Sequence, residues 1–97
     1  MNLEVANTIL AQLGSGRFKA MTGAKDFVGG ENYLLFGIPR SNNIRKVKII
    51  LTPMDTYTME FYSLRGIDLK LVSRHEDVYC EQLQDIFTSE TGLYTHL

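Results

Sequence analysis

Apolar residues open the chain at helical spacing: Val5, Ala6, Ile9, Leu10 and Leu13 share one side, and Glu4, Asn7, Thr8 and Ala11 the other. This predicts a short amphipathic helix over residues 2–13, stopped by Gly14, which suits the left-handed position after a helix. From residue 17 to residue 73 the apolar positions alternate instead. Residues 17–22 read as a first strand, and residues 32–38, entered after Gly29-Gly30, as a second. Pro39-Arg40-Ser41-Asn42-Asn43 reads as a loop. In the strand predicted at 45–52, Val47, Ile49 and Leu51 alternate with Lys46, Lys48 and Ile50. Pro53-Met54-Asp55 turns the chain into 56–64, where Tyr57, Met59 and Phe61 alternate with Thr58, Glu60 and Tyr62. Beyond Arg65-Gly66, residues 67–73 place Ile67, Leu69 and Leu71 on one face and Asp68 and Lys70 on the other.

The last segment reads as a helix. Ser73-Arg74-His75-Glu76 fits a capping box, in which the serine satisfies an early N–H and the glutamate reaches back. Tyr79, Leu83, Ile86 and Phe87 then line a face predicted to be buried, opposite Asp77, Glu81 and Asp85. Gly92 ends the helix, with Leu93 placed for a closing apolar contact. Short connections between consecutive strands imply antiparallel neighbours, because parallel pairs need long crossovers. The fold class expected is therefore α+β: an antiparallel β-meander of about five strands, with an N-terminal and a C-terminal helix packed on one face. Tyr33-Leu34-Leu35-Phe36 is apolar on both faces of its strand. Either Leu34 and Phe36 meet a second copy in a homo-oligomer, the reading favoured, or Phe27 and Val28 fold back over them.

The 97 residues suit one domain, and 44% hydrophobic with 22% charged residues argues against disorder. A single cysteine, Cys80, leaves no intramolecular disulfide to form. The first residues, Met1-Asn2-Leu3-Glu4-Val5, lack the basic and apolar regions of a secretory signal, and no apolar run is long enough for a membrane span. A cytoplasmic protein without a membrane partner is expected. Net charge is −1 but unevenly spread: seven basic against three acidic residues up to Ile50, and three against eight beyond it. Such a split gives either two binding faces or two halves that attract each other.

Catalytic chemistry finds little support in the sequence. His75 and Cys80 lie five positions apart, which points them away from each other on a helix, and no second ligand pair completes a zinc site. None of the serines sits in a Gly-x-Ser-x-Gly elbow, and Asp77, Glu81 and Asp85 have the spacing of a solvated helix face. Gly14-Ser15-Gly16 and Thr22-Gly23-Ala24-Lys25 lack the spacing of a P-loop. Thr22, Gly23 and Lys25 remain a weak candidate for anion binding through backbone N–H groups, against a plain turn of small residues. Lys46, Lys48, Tyr62 and Lys70 are expected on one outer sheet face, and single-stranded nucleic acid is bound by sheets that offer aromatics in a basic groove. Intruding carboxylates make that platform poor, and a salt-bridged, water-facing sheet is the plainer account. A non-enzymatic binding protein without a metal or cofactor is expected, its partner surfaces being Lys46, Lys48, Tyr62 and Lys70 on the sheet and Asp77, Glu81 and Asp85 on the helix.

Four blocks carry a resemblance. Ala20-Met21-Thr22-Gly23-Ala24-Lys25 with Phe27-Val28, Thr52-Pro53 with Asp55-Thr56-Tyr57, His75-Glu76-Asp77-Val78-Tyr79, and Phe87-Thr88 with Thr91-Gly92-Leu93-Tyr94 resemble a family of small proteins encoded by bacteriophages, prophages and other mobile elements. The similarity spans nearly the whole chain and brings no catalytic residue with it. It implies work in a bacterial host cell as an accessory factor. Such a factor would occlude a host or phage protein or sequester a small ligand, for example as an inhibitor of a host defence system. Nucleic acid is the alternative partner.

Overall fold

The computed structural model describes residues 3–41 and 43–93. Tyr94, named above, lies outside them, as do residues 1, 2, 42 and 95–97. Two helices come first, α1 (Glu4–Leu13) and α2 (Ser15–Thr22). The strands follow in one run: β1 (Lys25–Gly29), β2 (Tyr33–Ser41), β3 (Ile44–Leu51), β4 (Tyr57–Arg65) and β5 (Asp68–Val78). A 3-10 turn (Cys80–Gln82) leads into α3 (Leu83–Thr91). The five strands form one antiparallel sheet in sequence order, a meander with helices before and after it.

The first strand expected, residues 17–22, is instead α2. Gly14, at φ +121°, ends α1 and turns the chain at once into the second helix. Of α2 only Phe18 and Thr22 are buried, while Ala20 between them is exposed, which is a helical and not an alternating pattern. The Thr22 hydroxyl donates to the Phe18 carbonyl at 2.6 Å, so the helix end absorbs the polar group it buries. The strand that takes its place is β1, from a stretch between the first two strands expected. Pro39 likewise belongs to β2, which continues to Ser41.

The capping box expected at Ser73 does not form, because β5 runs on through Val78. The turn after it is closed by Tyr79 and Gln82: the Tyr79 N–H donates to Gln82 Oε1 at 2.9 Å. Tyr79 is consequently 56% exposed instead of buried, while Leu83 and Phe87 are buried as expected and Ile86 is half-buried. Gly92 closes α3 in the left-handed conformation and donates its N–H to the Thr88 carbonyl at 2.8 Å.

Alternating side chains of the sheet form its core with the helices: Leu34, Phe36, Val47, Ile49, Met59 and Phe61 are buried in one cluster with Ile9, Leu13, Phe18, Leu83 and Phe87. Phe36 is at the centre. Phe18 meets its ring edge-on at 5.4 Å, Phe27 stacks on it at 5.3 Å, and Phe87 lies at 6.2 Å. Leu34 and Phe36 are therefore core residues and not an interface between copies. Phe27 does fold back over Phe36, whereas Val28 is left 50% exposed. Gly29 permits the close approach of α1, since a Cβ there would stand 2.8 Å from that of Ala6. Polar ties join the helices to their neighbours: Tyr57 Oη donates to Gln12 Oε1 and Gln84 Nε2 to the Leu13 carbonyl, each at 2.8 Å.

Truncating this core should be costly. Phe36→Ala and Leu83→Ala should each lower unfolding free energy by about 2–5 kcal/mol in denaturant titrations, and Leu69→Ala, on the hairpin, by less than about 1 kcal/mol.

Candidate functional site

The sheet has a second face, which no helix covers among the described residues. Two rows cross it. Lys25, Gly37, Lys46, Tyr62 and Leu71 are successive partners across all five strands, and so are Val28, Leu35, Lys48, Glu60 and Arg74. These positions alternate with the buried set, so their side chains stand on the opposite side.

Glu60 is tied down in the middle of this face. Tyr62 Oη donates to its Oε1 at 2.7 Å, and Arg74 Nε lies 3.7 Å from its Oε2 while also reaching Glu76 at 3.2 Å. Burial, the hydrogen bond to Glu60 and that carboxylate's charge push the Tyr62 phenol up to about 12. Lys48 Nζ stands 4.7 Å over the Tyr33 ring. Lys46 lies along Gly37, its Nζ 3.4 Å from where a Cβ would be. Among the described residues Lys25, Lys46 and Lys48 make no ion pair. The face is therefore basic, and its carboxylates are largely occupied.

At one end it becomes apolar. Beyond Tyr62, β4 and β5 continue as a hairpin with Leu64 opposite Leu69 and Tyr62 opposite Leu71. Ile67 at its tip is 97% exposed, and Leu69, Leu71 and Val72 are about half exposed. The register slips between Phe61 and Tyr62, where Val72 is the extra residue of β5. That slip moves the whole hairpin by one position. Leu69 and Leu71 come to the open face, whereas Lys70, opposite Ser63, and Asp68, opposite Arg65, turn to the other. Lys70 thus does not join Lys46, Lys48 and Tyr62 as expected; Lys25 does. A second slip near the end of β5 and another in β1, with Asp77 at φ +55° and Asp26 at φ +57°, leave both sheet edges irregular. Irregular edges resist strand addition, so the face and not the edge is the available surface.

The acidic set does not form one helix stripe. Asp77 sits in the β5 bulge, Glu81 in the 3-10 turn and Asp85 in α3, all exposed. At the anion candidate, the Thr22 hydroxyl accepts from the Ala24 N–H at 3.2 Å and the Gly23 N–H caps α2 on the Lys19 carbonyl. Its backbone and hydroxyl groups serve the helix end, leaving Lys25 to the open face.

One cluster escaped sequence reasoning because the second half of β5, from Ser73 on, was expected to be helix. Ser73 Oγ and Glu90 Oε1 lie 3.2 and 2.8 Å from the same nitrogen of His75, Nε2. A nucleophile relay needs the hydroxyl and the carboxylate on opposite ring nitrogens, so this arrangement clamps α3 to β5 and does not activate the serine. Cys80 is exposed, and its hydrogen bond to Glu81 raises the thiol's pKa, the wrong direction for a nucleophile. No group of three His, Cys, Asp or Glu that could hold a metal is present among the described residues. No helix there is long and apolar enough to cross a membrane.

Compared with protein-family models, curated proteins and solved structures, the chain matches none.

The Tyr62–Glu60 contact makes a testable signature. A tyrosine that holds its proton more tightly folded than unfolded contributes stability below its ordinary 10.0, lost as pH rises towards about 12. Unfolding free energy should decline across that window, with Tyr57, also raised by burial, contributing. In Glu60→Gln, absorbance titration should show one phenol ionising at lower pH than in the parent.

Proposed function

We propose that this chain is a non-enzymatic binding protein whose open sheet face docks an acidic protein surface. The observation that carries this reading is the contiguity of the exposed hairpin leucines, Leu69 and Leu71, with rows of lysines that make no ion pair among the described residues. Exposed apolar surface rimmed by charge is characteristic of protein contacts: the apolar part supplies affinity and the charges steer and orient the partner. The resemblance to phage and mobile-element proteins supports a particular use, in which docking occludes a host defence protein. Work in a bacterial cytoplasm belongs to the same proposal.

Nucleic acid is the second reading, favoured by Lys25, Lys46 and Lys48 lying beside Tyr33 and Tyr62. Two contacts weigh against it. Lys48 already occupies a face of the Tyr33 ring, and Glu60 places a carboxylate in the middle of the track a phosphate chain would follow. Titration of a labelled oligothymidylate separates the readings. The protein reading expects no saturable binding at about 150 mM salt; binding that weakens steeply between about 50 and 200 mM would establish the second.

A direct test places a photo-activatable residue at Leu71 or, as control, at Ser89 on α3 in cells carrying a defence system that the protein disarms. One discrete protein adduct from position 71, absent from position 89 and lost in Lys46→Glu/Lys48→Glu, is expected. Equal adducts from both positions, or survival of the adduct in the charge-reversed variant, would contradict it.

A further inference from the structure

The open face changes chemistry along a diagonal, from apolar to basic and back to apolar. Leu64, Leu69 and Leu71 stand together at the hairpin end, Lys46 and Lys48 follow on β3, and Leu35 and Val28 lie beyond them on β2 and β1. Resting on the docking reading, we infer that the partner's docking element is an amphipathic α-helix of about four turns, with leucine-like side chains at both ends of one stripe and two carboxylates between them.

Register sets the spacing. Neighbouring strands lie about 4.8 Å apart, and same-face residues of one strand about 6.7 Å apart. On that lattice the middle of the leucine group is about 11 Å from the midpoint of Lys46 and Lys48, and Leu35 with Val28 is about 8 Å further on. A helix rises about 1.5 Å per residue, so these intervals are about seven and about five residues. Side chains at i, i+4, i+7, i+11 and i+14 share one stripe and meet the three patches in turn. The first two reach the leucines, the next two the lysines, and the last Leu35 and Val28. The carboxylates follow from charge. Lys46 and Lys48 are half-buried and make no ion pair among the described residues, Lys48 only standing over the Tyr33 ring. An element that excluded water from these ammonium groups without supplying anions would leave two charges uncompensated. Glu60 and Arg74, beside the path, are joined to each other. A strand laid across side chains would find no partners for its N–H and C=O groups, whereas a helix satisfies them internally.

Synthetic peptides test this on the isolated protein. The first is an eighteen-residue peptide rich in alanine and glutamine, held helical by a side-chain staple on its back. It carries leucine at its second, sixth and sixteenth positions and glutamate at its ninth and thirteenth. A second peptide moves both glutamates to the seventh and eleventh positions, on the opposite side. A third keeps the first pattern but is unstapled and broken by proline. Chemical-shift titration should show saturable binding of the first, with shifts centred on Leu35, Lys46, Lys48, Leu64, Leu69 and Leu71. The other two should bind at least about tenfold more weakly. Lys46→Gln/Lys48→Gln and Leu71→Ser should each weaken the first peptide about tenfold. Equal binding of all three peptides, wild-type affinity in either variant, or no saturation by about 2 mM would overturn the helix. The photo-adduct from position 71 tests docking separately: obtained without peptide binding, it would overturn the helix and leave the docking reading standing.

Discussion

The packing around Phe36 makes the molecule one-sided. Phe18 from α2, Phe27 from β1 and Phe87 from α3 meet that one ring from three directions, within 5.3 to 6.2 Å. Edge-on and offset contacts of this kind favour specific orientations beyond what buried area supplies, so the cluster fixes how the helices sit on the sheet. Among the described residues three short helices cover the five strands, and the cluster holds two of them, α2 and α3, on one side. The other face stays open, its side chains arranged by the register of the strands.

A one-residue slip decides the character of that face. With regular pairing through Tyr62, the hairpin would put Val72 opposite Tyr62 and Lys70 opposite Leu64, so that Lys70 and Asp68 would share the face of Lys46. Val72, inserted between the partners of Phe61 and Tyr62, reverses the parity and puts Leu69 and Leu71 there instead. The irregular edges work in the same direction: β1 and β5 are both kinked by residues with positive φ, which discourages another strand from pairing along them. A sheet with irregular edges and exposed leucines on its face offers side chains more readily than backbone, which is what the proposed docking requires.

Strong periodicity made much of this legible. In α1 the buried Ala6, Ile9 and Leu13 are the residues the helical pattern selects, and the alternation in β3 and β4 separates Val47, Ile49, Met59 and Phe61 from Lys46, Lys48 and Glu60. α2 was not legible, because eight residues with two buried positions give no period to count. β1 was hidden for a related reason, since its pairing is interrupted by Asp26 in a left-handed conformation, which a sequence does not announce. Ser73-x-x-Glu76 has the residues of a capping box, but tertiary pairing with β4 outweighs a local cap, and His75 turns inward to Glu90. Of the candidate site, Lys46, Lys48 and Tyr62 could be grouped from alternation alone. Lys70 could not, because a bulge is a property of the paired strands and not of either one.

The central claim is that the isolated chain keeps one sheet face open, with the hairpin leucines in water. Methyl relaxation by a soluble paramagnetic agent measures this directly at tens of micromolar protein. Ile67, Leu69, Leu71 and Val72 should relax strongly, while the methyls of Ile9, Leu34, Ile49 and Leu83 should scarcely respond. Protection of Leu69 and Leu71 comparable to that of Leu34 would mean the face is already covered, and would contradict the account.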